Sequence, residues 1–219
     1  MKKIINFLLK HIYETISTIV CILCLITMIS VLCTRTNNSY SYQVFRDSNR
    51  LEMEAIKCEI VHEIDNYIQL VAPNSSVNGL AIFEACQEYN VDVIFVLAQG
   101  QIESHFGTTG IAAKTNSIFN VLAYDGRSAR DMIAKGHGYD HPDKSIRPYL
   151  ELLSNRYLVN GKTEYDMFKK YVDKDGNRYA SNTSYEDSLF STYTNIKEST
   201  NIYELTTKYR KYRIITNED

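Results

Sequence analysis

The chain opens on an uncharged run and then changes period. From Thr15 to Thr34 no residue carries a charge, and Ile16 to Cys33 is mostly Ile, Leu, Val, Cys and Met. Twenty helical residues rise about 30 Å, the thickness of a bilayer's hydrocarbon core, so the pattern predicts a transmembrane helix over residues 15–34. A cleavable signal peptide would have a shorter apolar core ending in small residues, and Leu32-Cys33-Thr34-Arg35 does not supply that end. Residues 35–50 are polar, rich in Asn and Ser, and without period, which predicts a spacer. Beyond residue 51, Met53, Ile56, Ile60, Ile64, Tyr67 and Val71 recur every three or four positions, forming an amphipathic helix that Pro73 to Ser76 ends. Asn78 to Tyr89 reads as a second helix. Asp92 can cap a third, from Val93 to about His105, whose start is apolar throughout and which Gly107 and Gly110 break.

Helical period lapses between Thr115 and Asp143, where Gly126, Gly136 and Gly138 predict a loop or short hairpin. Ile146, Tyr149, Leu150, Leu153 and Tyr157 restore a stripe. Thr163 opens a short helix to Tyr171, Asp175-Gly176 marks a turn, and Thr183-Ser-Tyr-Glu186 has the form of a capping box. Helices should follow to about Lys197 and from about Asn201 to Tyr212. The expected organisation is a tip (1–14), the membrane helix (15–34), the spacer (35–50), a mainly α domain with an irregular or β-hairpin insertion (51–213), and a tail (214–219).

Charge gives this layout a direction. The net charge is −2, but Lys2, Lys3 and Lys10 precede the apolar run, and beyond residue 34 there remain 21 basic and 25 acidic residues. The positive-inside rule then places the amino terminus in the cytoplasm and the domain outside it, as in a single-pass membrane protein with an extracytoplasmic domain. An acidic domain without clustered Lys and Arg excludes a nucleic-acid partner. Cys21, Cys24 and Cys33 fall in the membrane run, and Cys58 and Cys86 are expected as two buried thiols rather than a disulfide. The chain has 17 Tyr and no Trp.

Glu103 is the foremost candidate for chemistry. It ends an apolar helix one turn after Gln99, so the two share a face. A carboxyl emerging from apolar packing has its charged form disfavoured, which prepares a general acid. His137 and His141 are spaced as metal ligands can be, but Gly138 and Pro142 oppose a helix and the Glu of a zinc motif is absent, so no metal or other cofactor is expected. Asp173 to Asn177 reads as a turn rather than a calcium loop.

Phe95-Val-Leu-Ala-Gln-Gly-Gln-Ile-Glu-Ser-His-Phe-Gly107 and Ala113-Lys-Thr-Asn-Ser-Ile-Phe-Asn-Val121 resemble two blocks of the glucosaminidase family, glycoside hydrolase family 73. Ser145-Ile-Arg-Pro-Tyr149 and Arg178-Tyr-Ala-Ser-Asn-Thr-Ser-Tyr185 resemble two later family segments in the same order. The resemblance spans about residues 51–212. It implies a lysozyme-like helical domain with a groove for peptidoglycan glycan strands, and hydrolysis of the β-1,4 bond between N-acetylglucosamine and N-acetylmuramic acid. It makes Glu103 the proton donor and places Tyr179 near the reacting sugar. Asn116 and Phe119 would shape the groove floor, and Ser104 and Gly107 the helix end carrying the acid. Tyr124 and Tyr185 flank the groove, where phenols can stack on sugar faces while their hydroxyls bond the polar rim.

Asn120 stands where the family usually has Gly. The family's second Glu is missing, since residues 116–145 contain none. Asp125, Asp131, Asp140 and Asp143 are the replacements, and Asp125 is the expected second carboxylate. Without one, the substrate's N-acetyl group would serve as nucleophile. Rival readings are a lytic transglycosylase using the same Glu, and an inactive cell-wall-binding or virion structural protein. A phage endolysin released from its tether is a variant of the hydrolase reading. The run from Ile16 to Cys33 lacks the Gly and Ala that release favours, so a stable anchor is preferred.

Overall fold

A computed structural model describes residues 2–121, 128–170, 175–176 and 178–217, with the side chains of 2–15, 17, 21, 32–40 and 215–217 outside the description. Two units are distinguished, residues 1–52 and 53–218. The first helix, α1 (Lys2–Val71), supplies the whole of the first unit and the start of the second.

In the first unit the described apolar side chains between Ile16 and Val31 are half or more exposed on every side of the helix. Among the described residues no helix is long and apolar enough to cross a membrane. The uncharged run of the sequence also includes positions 15, 17, 21 and 32–34, which lie outside that description. Residues 35–50, expected as an aperiodic spacer, have helical backbone. The polarity of this stretch removes a buried face but not the capacity to form a helix. Tyr42, Val44 and Phe45 are exposed accordingly.

The second unit is built around α3 (Val93–Ser104), in which every residue from Val93 to Gly100 is buried. Asp92 starts it as the pattern predicts: its Oδ1 accepts from the Ile94 amide at 2.7 Å, satisfying one of the free amides of a helix start. Asp92 is itself held by Tyr193, whose hydroxyl donates to Oδ2 at 3.2 Å. Helix α2 (Gly79–Tyr89) is capped in the same way by Asn78. The stripe Ile56, Ile60, Ile64 and Ile68 of α1 joins Phe83 and Cys86 of α2 in one core. Around α3 lie α6 (Ile146–Leu152), α7 (Tyr185–Ser199) and α8 (Ile202–Asn217), which contribute Tyr149, Leu150, Leu189, Ile196 and Ile202. A π-helical turn, Leu153–Tyr157, prolongs α6, and a short 3-10 helix, Glu164–Phe168, opens at Thr163.

Two local expectations are corrected, a capping box at Thr183 and the burial of Cys58. The described part of the insertion, expected as a loop or short hairpin, holds the helical turns α4 (Ala112–Thr115), α5 (Ala129–Ala134) and a 3-10 turn, Pro142–Ser145, and its positions 122–127 lie outside the described residues. Ser128 and Asp131 form a capping box on α5, a local arrangement that four consecutive residues suffice to complete. The capping box expected at Thr183 does not form, because the Glu186 carboxylate is taken by Arg178. Cys58 is exposed, lying off the stripe that buries Ile56 and Ile60, whereas Cys86 is buried as expected.

Candidate active site

The end of α3 is fixed by backbone handedness. His105 (φ 47), Phe106 (φ 52) and Gly107 (φ 82) are successively left-handed, a conformation that side chains other than glycine seldom adopt. The reversal folds Phe106 back beneath the helix it has just left. Its ring is buried against Gly100, where a Cβ would stand 3.0 Å from it, so any larger residue at that point of α3 would press on the ring and oblige it to give way. Ser75 Oγ donates to the Phe106 carbonyl at 2.8 Å, and the Tyr67 ring meets Phe106 edge to face.

Ser104 and Ser145 lock the following block in place. Ser104 is buried; its Oγ accepts from the Gly107 amide at 2.8 Å and donates to the Ile118 carbonyl at 2.5 Å. Ser145 Oγ accepts from the Ile118 amide at 3.1 Å and donates to the Pro142 carbonyl at 2.8 Å. The Ile118 peptide is therefore held from both sides, between the end of α3 and the start of α6. Phe119 stacks on the buried ring of Tyr149, centroids 3.7 Å apart. Asn116 caps α4 in left-handed geometry, and its Nδ2 donates to the Tyr139 carbonyl at 2.8 Å, tying the insertion down.

Glu103 lies half-buried on this frame. Its Oε1 accepts from the Tyr185 hydroxyl at 2.8 Å, and the Tyr185 oxygen accepts from Gln99 Nε2 at 3.0 Å. Helices α3 and α7 thus place Gln99, Glu103 and Tyr185 in one chain of hydrogen bonds. Tyr179 joins it: its ring lies 5.3 Å from Tyr185 and meets Tyr157 edge to face at 5.1 Å. Burial pushes the Glu103 carboxyl above the usual carboxylate range, and the hydrogen bonds of Tyr185 and Asn120 pull in the opposite direction without cancelling it. Burial likewise holds Tyr149, Tyr179 and Tyr185 well above the ordinary phenol value, and the neighbouring Glu103 charge adds to the effect. Tyr185 serves as a neutral donor to Glu103, whereas the buried Tyr149 hydroxyl has no hydrogen-bond partner among the described residues. The site is one carboxyl with a raised pKa, enclosed by three protonated phenols.

Asn120 was not among the candidate residues. It is left-handed (φ 48), and its Nδ2 donates to the Glu103 carbonyl at 2.8 Å. The available signal was the family's Gly at this position, which marks a backbone needing positive φ; Asn tolerates that conformation and adds an amide. Tyr124 and Asp125 lie outside the described residues, as do positions 173, 174 and 177 of the predicted turn. Of the other Asp candidates, Asp131 caps α5, Asp143 accepts from the Asn78 amide, and Asp140 is exposed. His141 caps the 3-10 turn through Nδ1.

Arg178 and Glu186 close the segment that carries both Tyr179 and Tyr185. Nη2 of the guanidinium donates to both carboxylate oxygens, at 2.6 and 2.5 Å. Burial of Glu186 acts to raise its pKa, but the Arg178 hydrogen bonds and charge prevail and hold it below the usual range. A depressed pKa stabilises the fold above the unfolded value of about 4.3, and the contribution is lost as pH falls through the folded value. Arg178→Met should therefore destabilise the protein by roughly 1–3 kcal/mol at pH 7, with the deficit shrinking below about pH 4. Thermal melts of parent and variant at the two pH values measure it.

A helical domain that presents one half-buried, pKa-raised carboxyl among phenols has the acid expected of a glycoside hydrolase. The family model described as Glucosaminidase, mannosyl-glycoprotein endo-beta-N-acetylglucosaminidase, matches residues 80–198, more than half of the chain, and the chain belongs to this family. Two provisionally named endo-beta-N-acetylglucosaminidases of Streptococcus pneumoniae, from strains TIGR4 and R6, are each 29% identical to it over 104 residues. The matched stretch is 46% of this chain but only 15% and 14% of those relatives.

Proposed function

We propose that this protein is a membrane-anchored peptidoglycan hydrolase that cleaves the β-1,4 bond between N-acetylglucosamine and N-acetylmuramic acid, with Glu103 as general acid. The observation that carries the reading is the Glu103 carboxyl itself: half-buried, raised in pKa, and hydrogen-bonded only by neutral groups, the Tyr185 phenol and the Asn120 amide. In that state it gives its proton to the leaving glycosidic oxygen as the C–O bond breaks. Tyr179 and Tyr185 offer ring faces and hydroxyls to the sugar, and family membership supports the choice of an N-acetylglucosaminyl linkage.

The anchor reading rests on the uncharged run 15–34 and on the exposure of its described apolar side chains, between Ile16 and Val31, all round the helix, as a span facing lipid requires. Lys2, Lys3 and Lys10 orient it with the domain outside the cytoplasm, on the side where the wall lies.

Among the described residues no second carboxylate joins the hydrogen-bonded group around Glu103. Asp125, the expected second carboxylate, lies outside them, and one alternative chemistry stands beside hydrolysis, a lytic transglycosylase with a single Glu. Digestion of purified peptidoglycan with the full chain, followed by borohydride reduction and mass spectrometry, separates the two. Hydrolysis by a glucosaminidase gives fragments with a reduced N-acetylglucosamine end. A transglycosylase gives unreduced fragments lighter by one water, with an anhydromuramyl end, and a protein that only binds the wall gives neither.

A further inference from the structure

We propose that Gln99 is a positioning residue for the acid: by donating to the Tyr185 oxygen it obliges the phenol hydrogen to point at Glu103 Oε1, leaving Oε2 to carry the transferable proton. The proposal rests on the reading of Glu103 as general acid, and it assigns that acid's proton to a particular atom.

The argument starts from the capacity of each group. A phenol has one hydrogen and two lone pairs, whereas an amide nitrogen can only donate. With Gln99 Nε2 at 3.0 Å and Glu103 Oε1 at 2.8 Å, the Tyr185 oxygen accepts from the first, and its single hydrogen is directed to the second. Tyr179, whose hydroxyl also lies near Gln99 and Tyr185, is a neutral phenol, and a phenol oxygen, its lone pair drawn into the ring, is a weaker acceptor than the carbonyl oxygen of a carboxyl group. In a neutral carboxyl the oxygen that accepts is the carbonyl oxygen, so the acidic hydrogen resides on Oε2. As the proton leaves Oε2 for the glycosidic oxygen, negative charge spreads onto Oε1, where the Tyr185 hydrogen already stands. The Tyr185 proton is not transferred.

The orientation of the amide follows from burial. Gln99 is fully buried, and its carbonyl Oε1 is the unpartnered atom. Turning the amide over would leave a buried NH2 without an acceptor, a rarer arrangement in folded proteins than an under-satisfied carbonyl. The turned amide would also take the phenol hydrogen, so that a protonated Glu103 would have to donate to Tyr185. The titratable groups facing Glu103 are Tyr149 from α6, Tyr179 from the segment before α7 and Tyr185 from α7, with exposed His105 following on its own chain.

The test needs no substrate, so its failure is distinct from failure of the glycosidase reading. The full chain, labelled with 13C at glutamate carboxyls, is titrated by NMR, and the Glu103 signal is assigned by its loss in Glu103→Gln. Tyr185→Phe removes a hydrogen bond to the charged form and should raise the Glu103 pKa by about one unit. A fall would show that Glu103 donates to Tyr185 and would overturn the proposal. Gln99→Met should raise the Glu103 pKa when Tyr185 is present and leave it unchanged in the Tyr185→Phe background. An equal shift in both backgrounds, or none in either, would also overturn it. Tyr185→Phe removes a single atom and decides the sign without the Gln99 variant. In the active protein, the alkaline limb of kcat should move with the NMR value.

Discussion

Glu103→Gln should lower the rate of glycan cleavage by roughly 10²–10⁴-fold, the contribution of a general acid, while making the folded protein more stable at neutral pH. The loss follows because glutamine has no proton to give to the leaving oxygen. The gain follows from the raised pKa of the buried carboxyl. A carboxyl whose folded pKa exceeds its unfolded value of about 4.3 contributes stability that is fully present below that value and is lost as pH rises through the folded one. Glutamine takes the place of the neutral form at every pH and suffers no such loss. Parent and variant should therefore melt together near pH 3, and the variant should melt higher at pH 7. Release of reducing ends from cell walls gives the first half of the prediction and calorimetry at the two pH values the second. A variant that still cleaves at the parental rate would remove Glu103 from the chemistry.

The second large effect concerns Ser104→Ala. The Ser104 hydroxyl serves the Gly107 amide and the Ile118 carbonyl together, in a place closed to bulk water. Alanine leaves both groups without that partner, at a cost of about 2–5 kcal/mol. For a domain of this size that corresponds to a fall of roughly 5–15 °C in Tm. The Ile118 peptide would then be held by Ser145 alone, and the turn after Glu103 would lose its contact with the Phe119 block. Thermal unfolding measures the first consequence. The second is a lower kcat at a temperature where the variant is still folded, and a Tm within 2 °C of the parent's, about 1 kcal/mol or less, would mean that other groups take up the two orphans.

Much of the helical frame is legible in the sequence because its signals are local. Asp92 announces the start of α3, the run from Val93 through Glu103 without a turn is too long for a typical strand, and His105 to Gly107 end it where the glycine indicated. Tyr185 was readable as a residue near Glu103 only through the resemblance of its segment, since 82 residues separate the two in the chain. The failures also have physical reasons. Thr183 and Glu186 satisfy the spacing of a capping box, but a guanidinium eight residues earlier offers the carboxylate two charge-assisted hydrogen bonds and prevails. Tyr149 occupies a core position in its helical stripe and is fully buried, yet its phenol is close enough to Glu103 to feel its charge, a proximity that periodicity does not reveal. Asn120 looked like a departure from the family, but the departure keeps the backbone conformation and adds a donor.

The left-handed turn at His105 to Gly107 bears on how such a site is put together. Nine consecutive residues, Gln99 to Gly107, hold the carboxyl, the amide that reaches its phenol, the glycine that makes room, and the aromatic ring that plugs the room. The remainder of the domain provides three phenols, the Ile118 carbonyl and an asparagine in register. What is held as one short unit is thus the carboxyl with the backbone that shapes its surroundings, while the phenols around it must be brought by α6, α7 and the segment before α7.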